Sequence, residues 1–495
     1  MQNAETKLAW LWQNTEKVLI VVFFLTFTFN IRKVFLTPFS FLNGGFNEYT
    51  TIFISWADIL MIAVILSYTI KWLSGQLVRP ASAKFSLYNV IRKKSIVIRN
   101  YYGNNVSRET FYLLIFLGWV GLSIFWSQYR LLAVYKFLTI IEIVLFAAVV
   151  VKRLKNSDWL KIALFALLLN GLFQSQLGIA QFVHNASLGF HFLGESIIGP
   201  NIDGVAKILI NGEKHIRAYG TFPHPNILAG FLLIPFFIII AELVCRIFPF
   251  LNKQSLPAGE AEAGERSAQV SHETSLSFVP TNFLWFIFSV TSLGFVLTFS
   301  HSAFLGLFFG LLIYIFLIAP TRNLVQKFKS YYKLQVALTI LLALMIIALL
   351  NGTSFFSNQS LQERQLYQDV SYETISGSPI RGIGAGQFIL NEHKLHPDLE
   401  AWQYQPVHNV YLLIFSELGI VEFILFILLV VSFLFTNLSD SSSREDCLLT
   451  NYLFCCIVFS FLVISLFDHY FWDIKQGMFV FALPLIIYYG MIQQK

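Results

Sequence analysis

Residues 406–419 read PVHNVYLLIFSELG, and the apolar run that opens at Val410 continues to Thr436. That run exceeds the roughly 20 apolar residues an α-helix needs to cross a bilayer. A polar loop ends at His408 and Asn409, and an apolar helix begins at once. His408 is therefore expected where water meets membrane. Its imidazole is close to neutral at physiological pH and can take a proton. Glu417 follows about two turns deeper in the same helix. A carboxylate inside a membrane is costly and is usually paired or functional; the ordinary alternative is a capping contact.

The rest of the chain agrees with a membrane setting. Of its 495 residues, 56% are hydrophobic and only 13% charged, against about a quarter charged in soluble domains. Mean hydropathy is +0.65. Long apolar runs imply helices, because a lone strand in lipid leaves its backbone unpaired. The predicted class is all-α: a single polytopic membrane domain over residues 1–495. Runs of spanning length fall at 18–31, 51–73, 110–126, 131–151, 158–182, 225–248, 282–299, 301–319, 334–350, 410–436, 450–467 and 475–493, about twelve helices. The first has no small-residue cleavage site behind it and reads as an uncleaved anchor, with Trp10 and Trp12 as interfacial residues. Cys245, Cys447, Cys455 and Cys456 lie in or beside apolar segments or inner loops, where core packing is expected rather than a disulfide framework.

Lys and Arg set the orientation. Loop 74–109 carries Arg79, Lys84, Arg92, Lys93, Lys94, Arg99 and Arg108. Lys152, Arg153 and Lys155 follow the fourth span, and Arg322, Lys327, Lys329 and Lys333 the eighth. With alternating spans these share one side, the cytoplasm, together with both termini. Residues 249–281 hold an Ala-, Gly-, Glu- and Ser-rich stretch without apolar period, expected to be a disordered cytoplasmic linker. Two polar stretches fall outside: 183–224 and the much longer 351–409. The spacing of Leu361, Leu366, Tyr367, Val370, Tyr372 and Ile375 predicts one or two short helices in the second. A long structured loop on a membrane protein is a natural place for a site.

Four motifs stand in or beside these outer stretches. RAYGTFPHPNILAG (217–230) places Arg217, His224 and Asn226 at a helix start. Free backbone N–H groups there, with an arginine nearby, suit an anion; the plainer reading is a membrane-entering turn. TFSHSAFLGL (298–307) puts His301 at the tip between two spans. SPIRGIGAGQF (378–388) is glycine-rich, and a tight turn explains it better than a phosphate loop. Arg364 and Arg381 are the arginines of the large loop. His393, His396 and Asp398 have loose spacing for a metal, and none is expected to be bound. Paired carboxylates suited to acid–base work are not found in these two stretches. Glu142 and Asp58 are intramembrane acids without an assignable partner.

Taken in order, these segments resemble the O-antigen ligase and O-antigen polymerase superfamily. The landmarks are Arg217, Gly220, Phe222, Pro225, Asn226 and Ala229. Then come Ser300, Leu305 and Gly306. The last set is Arg364, Pro379, Gly382, Gly384, Gly386 and Phe388, closing with His408, Asn409, Leu412, Glu417 and Gly419. The resemblance covers roughly residues 110–436 closely and the remainder by span count.

The resemblance implies a metal-independent, inverting glycosyltransferase of the inner (cytoplasmic) membrane, with no cofactor and an extracytoplasmic site. The donor would be a polyprenyl-diphosphate-linked glycan, and the acceptor a lipid, a growing glycan or a protein. The partners are these and membrane lipids, not nucleic acid. It implies that His408 is the general base and that Arg217 grips the diphosphate, with His224, Asn226, His301, Arg364, Arg381, Asn409 and Glu417 around the substrate. One position departs: relatives have an arginine where this chain has His301. A neutral histidine holds a diphosphate less well than an arginine. Either His301 is protonated beside the phosphates, or Arg364 or Arg381 makes up the charge. The rival class is a polysaccharide or lipid transporter, which would need charges lining a path through the spans.

Overall fold

The computed structural model describes residues 2–77, 108–154, 158–247, 276–318, 358–440 and 448–492. The predicted span 334–350, most of the basic loop 74–109, residues 249–275 of the linker and Cys447 lie outside the described residues.

The protein is mainly helical. Helices α1 (Gln2–Thr26), α2 (Trp56–Leu77), α3 (Arg108–Ser123), α4 (Arg130–Leu154), α5 (Asp158–His184), α6 (Pro225–Ile247), α7 (Thr281–Val296) and α8 (His301–Ile318) precede the large loop. Within that loop lie α9 (Asn358–Gly377) and α10 (Phe388–Leu395). Helices α11 (Val410–Asp440), α12 (Leu448–Ile464), the short α13 (Tyr470–Asp473) and α14 (Lys475–Ile492) complete the chain. Among the described residues, five helical stretches are both long and apolar enough to cross a membrane: Trp56–Ser74, Arg130–Leu154, Asp158–His184, Pro225–Val244 and Val410–Leu434. The apolar stretches Thr281–Val296, His301–Tyr314, Leu453–Ile464 and Lys475–Tyr489 are shorter. The length of the runs thus places the helices well, while a count of twelve crossings goes beyond these five.

Helix α6 is the centre of the bundle: its whole apolar window is buried by protein. In lipid, helices gain little from hydrophobic burial against one another, so close backbone packing holds them together. The seam between α8 and α12 shows how. Gly306 and Gly310, one turn apart, face Ser460, where a Cβ at Gly310 would come within 2.1 Å of the serine oxygen. Cys455 and Cys456 are buried, free thiols in α12.

Two expected boundaries shift. Helix α1 begins far before residue 18 and ends at Thr26, and residues 52–55 form a strand rather than the start of a helix. The cause is a small antiparallel ribbon, β1 (Arg32–Phe35) with β4 (Ile52–Ser55), in the register Arg32↔Ser55 to Phe35↔Ile52. Between them β2 (Phe41–Leu42) pairs with β3 (Gly45–Phe46). Ser55 then starts α2 by reciprocal capping: Asp58 N–H donates to its Oγ at 3.3 Å and Ser55 N–H donates to Asp58 Oδ2 at 2.6 Å. A second ribbon, β5 (Lys207–Ile210) with β6 (Glu213–Ile216), lies in the 183–224 stretch.

Several charges inside the bundle are paired, while neither carboxyl oxygen of the buried Glu422 has a hydrogen-bond partner among the described residues. Lys475 Nζ donates to Asp58 Oδ2 at 2.7 Å, and Glu142 has Asp58 and Lys475 as electrostatic neighbours. At the other end Glu16 takes Lys71 and Arg153. The polar segments gather at one end: Asn43 reaches the carbonyls of Pro397 and Leu399, Tyr129 N–H reaches Gln387, and Asn226 reaches Asp468.

Candidate functional site

At the polar end, residues 46–49, 223–227, 401–408 and 468–474 contribute to a cleft of about 270 Å3 that contains His224, Asn226, His408, Asp468 and His469. Proline at the first position of α6 fixes the approach of its helix, as Pro225 should, and so aims His224 and Asn226 into this space.

His408 is packed between two rings. Tyr367 of α9 stacks on it with ring centroids 5.7 Å apart, and His469 meets it edge to face at 4.9 Å. Its buried Nδ1 has no hydrogen-bond partner among the described residues. Burial drives its pKa well below the usual imidazole value, and the charges of His469, Arg364 and His224 push the same way. The Pro406 backbone opposes this shift only weakly, so the side chain is neutral at pH 7.

Asn409 caps α11: Leu412 N–H donates to its Oδ1 at 3.0 Å, and its Nδ2 donates to Leu466 O at 3.2 Å. This cap places the preceding His408 at the helix mouth. Glu417 sits deeper and is buried, accepting from Trp472 Nε1 at 2.9 Å and, more weakly, from Phe388 N–H at 3.4 Å. Neither Asn409 nor Glu417 lines the cleft; both hold the elements that do.

Arg217 is buried, not splayed into the cleft. Its Nε donates to Thr298 O, and its Nη2 to Asn226 Oδ1 at 2.6 Å. Asn226 Nδ2 in turn donates to Asp468 Oδ2 at 2.7 Å. The amide thus links a guanidinium to a carboxylate, and this fixes its orientation. Burial pushes the Arg217 pKa down to about 10, with Tyr219 and Asp468 opposing, so it stays charged at neutral pH. His224 accepts from Asn226 N–H through Nδ1 at 3.2 Å, which puts any proton of the neutral ring on Nε2. Burial, then Arg217, His469 and Arg364, drive its pKa well down.

Arg364 of α9 is an electrostatic neighbour of His224, His301, His408 and Asp468. His301, first residue of α8, has Arg217 and Arg364 as its charged neighbours. Arg381 is exposed on the turn that packs against Gly419, and it is not among the charges acting on these groups. His393 bonds to Asn43 Oδ1 at 3.0 Å and serves loop docking.

Sequence reasoning passed over two contributors. One is DHYFWD (468–473), which falls between the expected spans 450–467 and 475–493. His469 is buried there with Nδ1 at 2.8 Å from Asp473 Oδ2. Burial alone would lower its pKa, but Asp473, with Asp468 and Glu48, raises it. Here, then, are the neighbouring carboxylates that the two long outer stretches lack. The signal was present: two acids and a histidine within six residues, between two apolar runs. The other contributor is the 27–55 segment, which supplies Asn47, Glu48 and Tyr49 to the cleft.

A bundle of apolar helices with a histidine-bearing cleft at one end, built from inter-helix segments, defines a polytopic integral membrane protein with a site at the bundle's edge. Residues 286–427 match the O-antigen ligase family model, and this match supports assignment to the O-antigen ligase superfamily. The matched region runs from α7 through His408 into α11; Arg217, Asn226, Asp468 and His469 fall outside it. A comparison with curated proteins gives no match.

Proposed function

We propose that the chain is a membrane glycosyltransferase that moves a glycan from a polyprenyl-diphosphate carrier to an acceptor hydroxyl on the extracytoplasmic face. His408 carries the reading: a neutral imidazole that lines a cleft at the end of a helical bundle. The acceptor hydroxyl gives its proton to His408 as its oxygen attacks the anomeric carbon. The bond from that carbon to the diphosphate oxygen breaks, the configuration inverts, and the diphosphate leaves on its lipid. The negative charge gathered there is met by Arg217 and Arg364, which fill the part an arginine at position 301 would play. Preorganised cations of this kind act strongly where water is excluded. Catalysis by these groups requires no metal.

The orientation supports the same face. Lys71, Lys152, Arg153 and Arg246 lie at or near the helix ends opposite the cleft, as the positive-inside rule asks of a cytoplasmic side. Twelve crossings with both termini inside would satisfy it. A transporter path needs charges facing a channel, whereas Lys475 is paired with Asp58, and Lys71 with Glu16. Ligase, polymerase and protein glycosyltransferase activities share this chemistry.

The test is His408→Ala in membranes supplied with lipid-linked oligosaccharide. Losing a general base lowers a rate by roughly 10²–10⁴-fold. Wild-type product from a normally inserted variant would overturn the assignment.

A further inference from the structure

We propose that the outer half of the cleft, between residues 46–49 and 402–405, is a saccharide subsite for the acceptor. The inference rests on the glycosyl-transfer reading and adds the side from which the acceptor enters.

The lining is of two kinds. Phe46 and Trp402 are large aromatics left 46% and 54% exposed, and both border the cleft. Glu48 and Gln405 add hydrogen-bonding groups beside them. Aromatic faces with carboxylate and amide groups beside them match a sugar, whose C–H faces are apolar and whose rim is hydroxyl. None of the cleft's lining residues is a lysine or arginine. A diphosphate would meet the carboxylate of Glu48 there, which would repel it. Its place is nearer Arg217 and Arg364, which act on His224 and, in the case of Arg364, on His408.

The two walls are locked together before any ligand arrives. Asn47 Nδ2 donates to Tyr404 O at 3.0 Å and Ala401 O at 3.3 Å. Asn43 Nδ2 donates to Pro397 O at 2.6 Å and Leu399 O at 2.8 Å. Glu48 is held by Arg32 at 3.2 Å with its side chain 33% exposed, which leaves acceptor capacity free. Such preorganisation reduces the entropy lost on binding. A volume of about 270 Å3 suits a terminal sugar unit rather than a long chain.

The experiment is saturation-transfer NMR on the purified full chain in detergent, with a panel of free neutral, amino and acidic oligosaccharides. Saturable binding by at least one class is expected. Trp402→Ala and Phe46→Ala should each weaken it about tenfold or more, and Trp402→Phe should restore most of it. Inorganic pyrophosphate should not compete. The readout is binding and not transfer, so a failure of the catalytic reading leaves this result standing. The proposal falls if no panel member binds, if pyrophosphate displaces the glycan, or if Trp402→Ala binds like wild type. The last result would make Trp402 a membrane-surface anchor instead.

Discussion

The imidazole of His408 meets that of His469 edge to face, with ring centroids 4.9 Å apart and planes at 87°. His469 is in turn gripped by Asp473 at 2.8 Å. The carboxylate raises the His469 pKa against burial, and the charge this favours lowers the His408 pKa. Tyr49 meets His469 edge-on at 5.6 Å, and Asp468, Glu48 and His224 complete its charged and titratable surroundings. In the proposed mechanism His469 is a positioning residue acting on the base.

The acidic limb of the pH–rate profile should report this coupling. His408 titrates below 6.5 because burial and neighbouring charges lower its pKa, so activity should persist into mildly acidic buffer. His469→Gln removes a positive neighbour, which raises the His408 pKa. The acidic limb should then move to higher pH, with a smaller change at pH 8. A purely structural role for His469 would scale the whole profile without moving its limb.

Arg217→Ala should cost both stability and donor affinity. It deletes hydrogen bonds to Thr298 O and Asn226 Oδ1, each worth about 1.5–3 kcal/mol when one partner is charged. It also releases Asn226 from the amide bridge to Asp468. A lower Tm together with a higher KM for lipid-linked donor is expected. A lower Tm with unchanged donor affinity would remove Arg217 from the diphosphate and leave it as a structural tie.

Much of the bundle was legible because crossing a bilayer leaves long apolar runs, and α4, α5 and α6 begin within a residue of the expected positions. His408 was legible because it is the last chemical group before such a run. The run before Trp56 misled, because Ile52, Phe53 and Ile54 are as apolar as a helix start yet pair with β1. Arg381 and Glu417 were placed around the substrate by motif order, which carries no information on side-chain direction. His469 and Asp473 were missed because their role depends on a contact across 61 residues of chain, from position 408 to 469, that no local pattern encodes.

Glu392 of α10 should make stability depend on pH. Its side chain is wholly buried, and burial lifts its pKa from 4.5 to about 9. Below 4.5 the carboxyl is neutral in both folded and unfolded chains. Above that the unfolded chain ionises while the folded one stays neutral, so the folded state is progressively disfavoured until about pH 9. Glu392→Gln keeps the shape and removes the titration. Thermal unfolding across pH 5–9 should show a flatter profile for the variant, with its largest gain at the alkaline end. Parallel profiles would show that Glu392 is ionised in the fold.

Gly419→Ala should undock the large loop from α11. Gly419 has φ 74° and ψ −175° inside the helix, a region open essentially to glycine alone. The kink frees carbonyls of the preceding turn, and the loop uses them. Ile383 N–H donates to Ser416 O at 3.1 Å and Gly384 N–H to Glu417 O at 2.7 Å, while Trp119 Nε1 takes Leu418 O at 2.9 Å. A Cβ at Gly419 would lie 2.1 Å from Ile380 O and 2.6 Å from Arg381 N, both backbone atoms that cannot rotate aside. Strain of this type costs about 1–3 kcal/mol before the clash is counted. The variant should lose transfer activity and become sensitive to proteolysis within 358–409. Gly118→Ala in α3, where a Cβ meets nothing within 4 Å, should behave as wild type. Wild-type protease resistance of Gly419→Ala would mean that the loop is held by its contacts with the 41–47 segment instead.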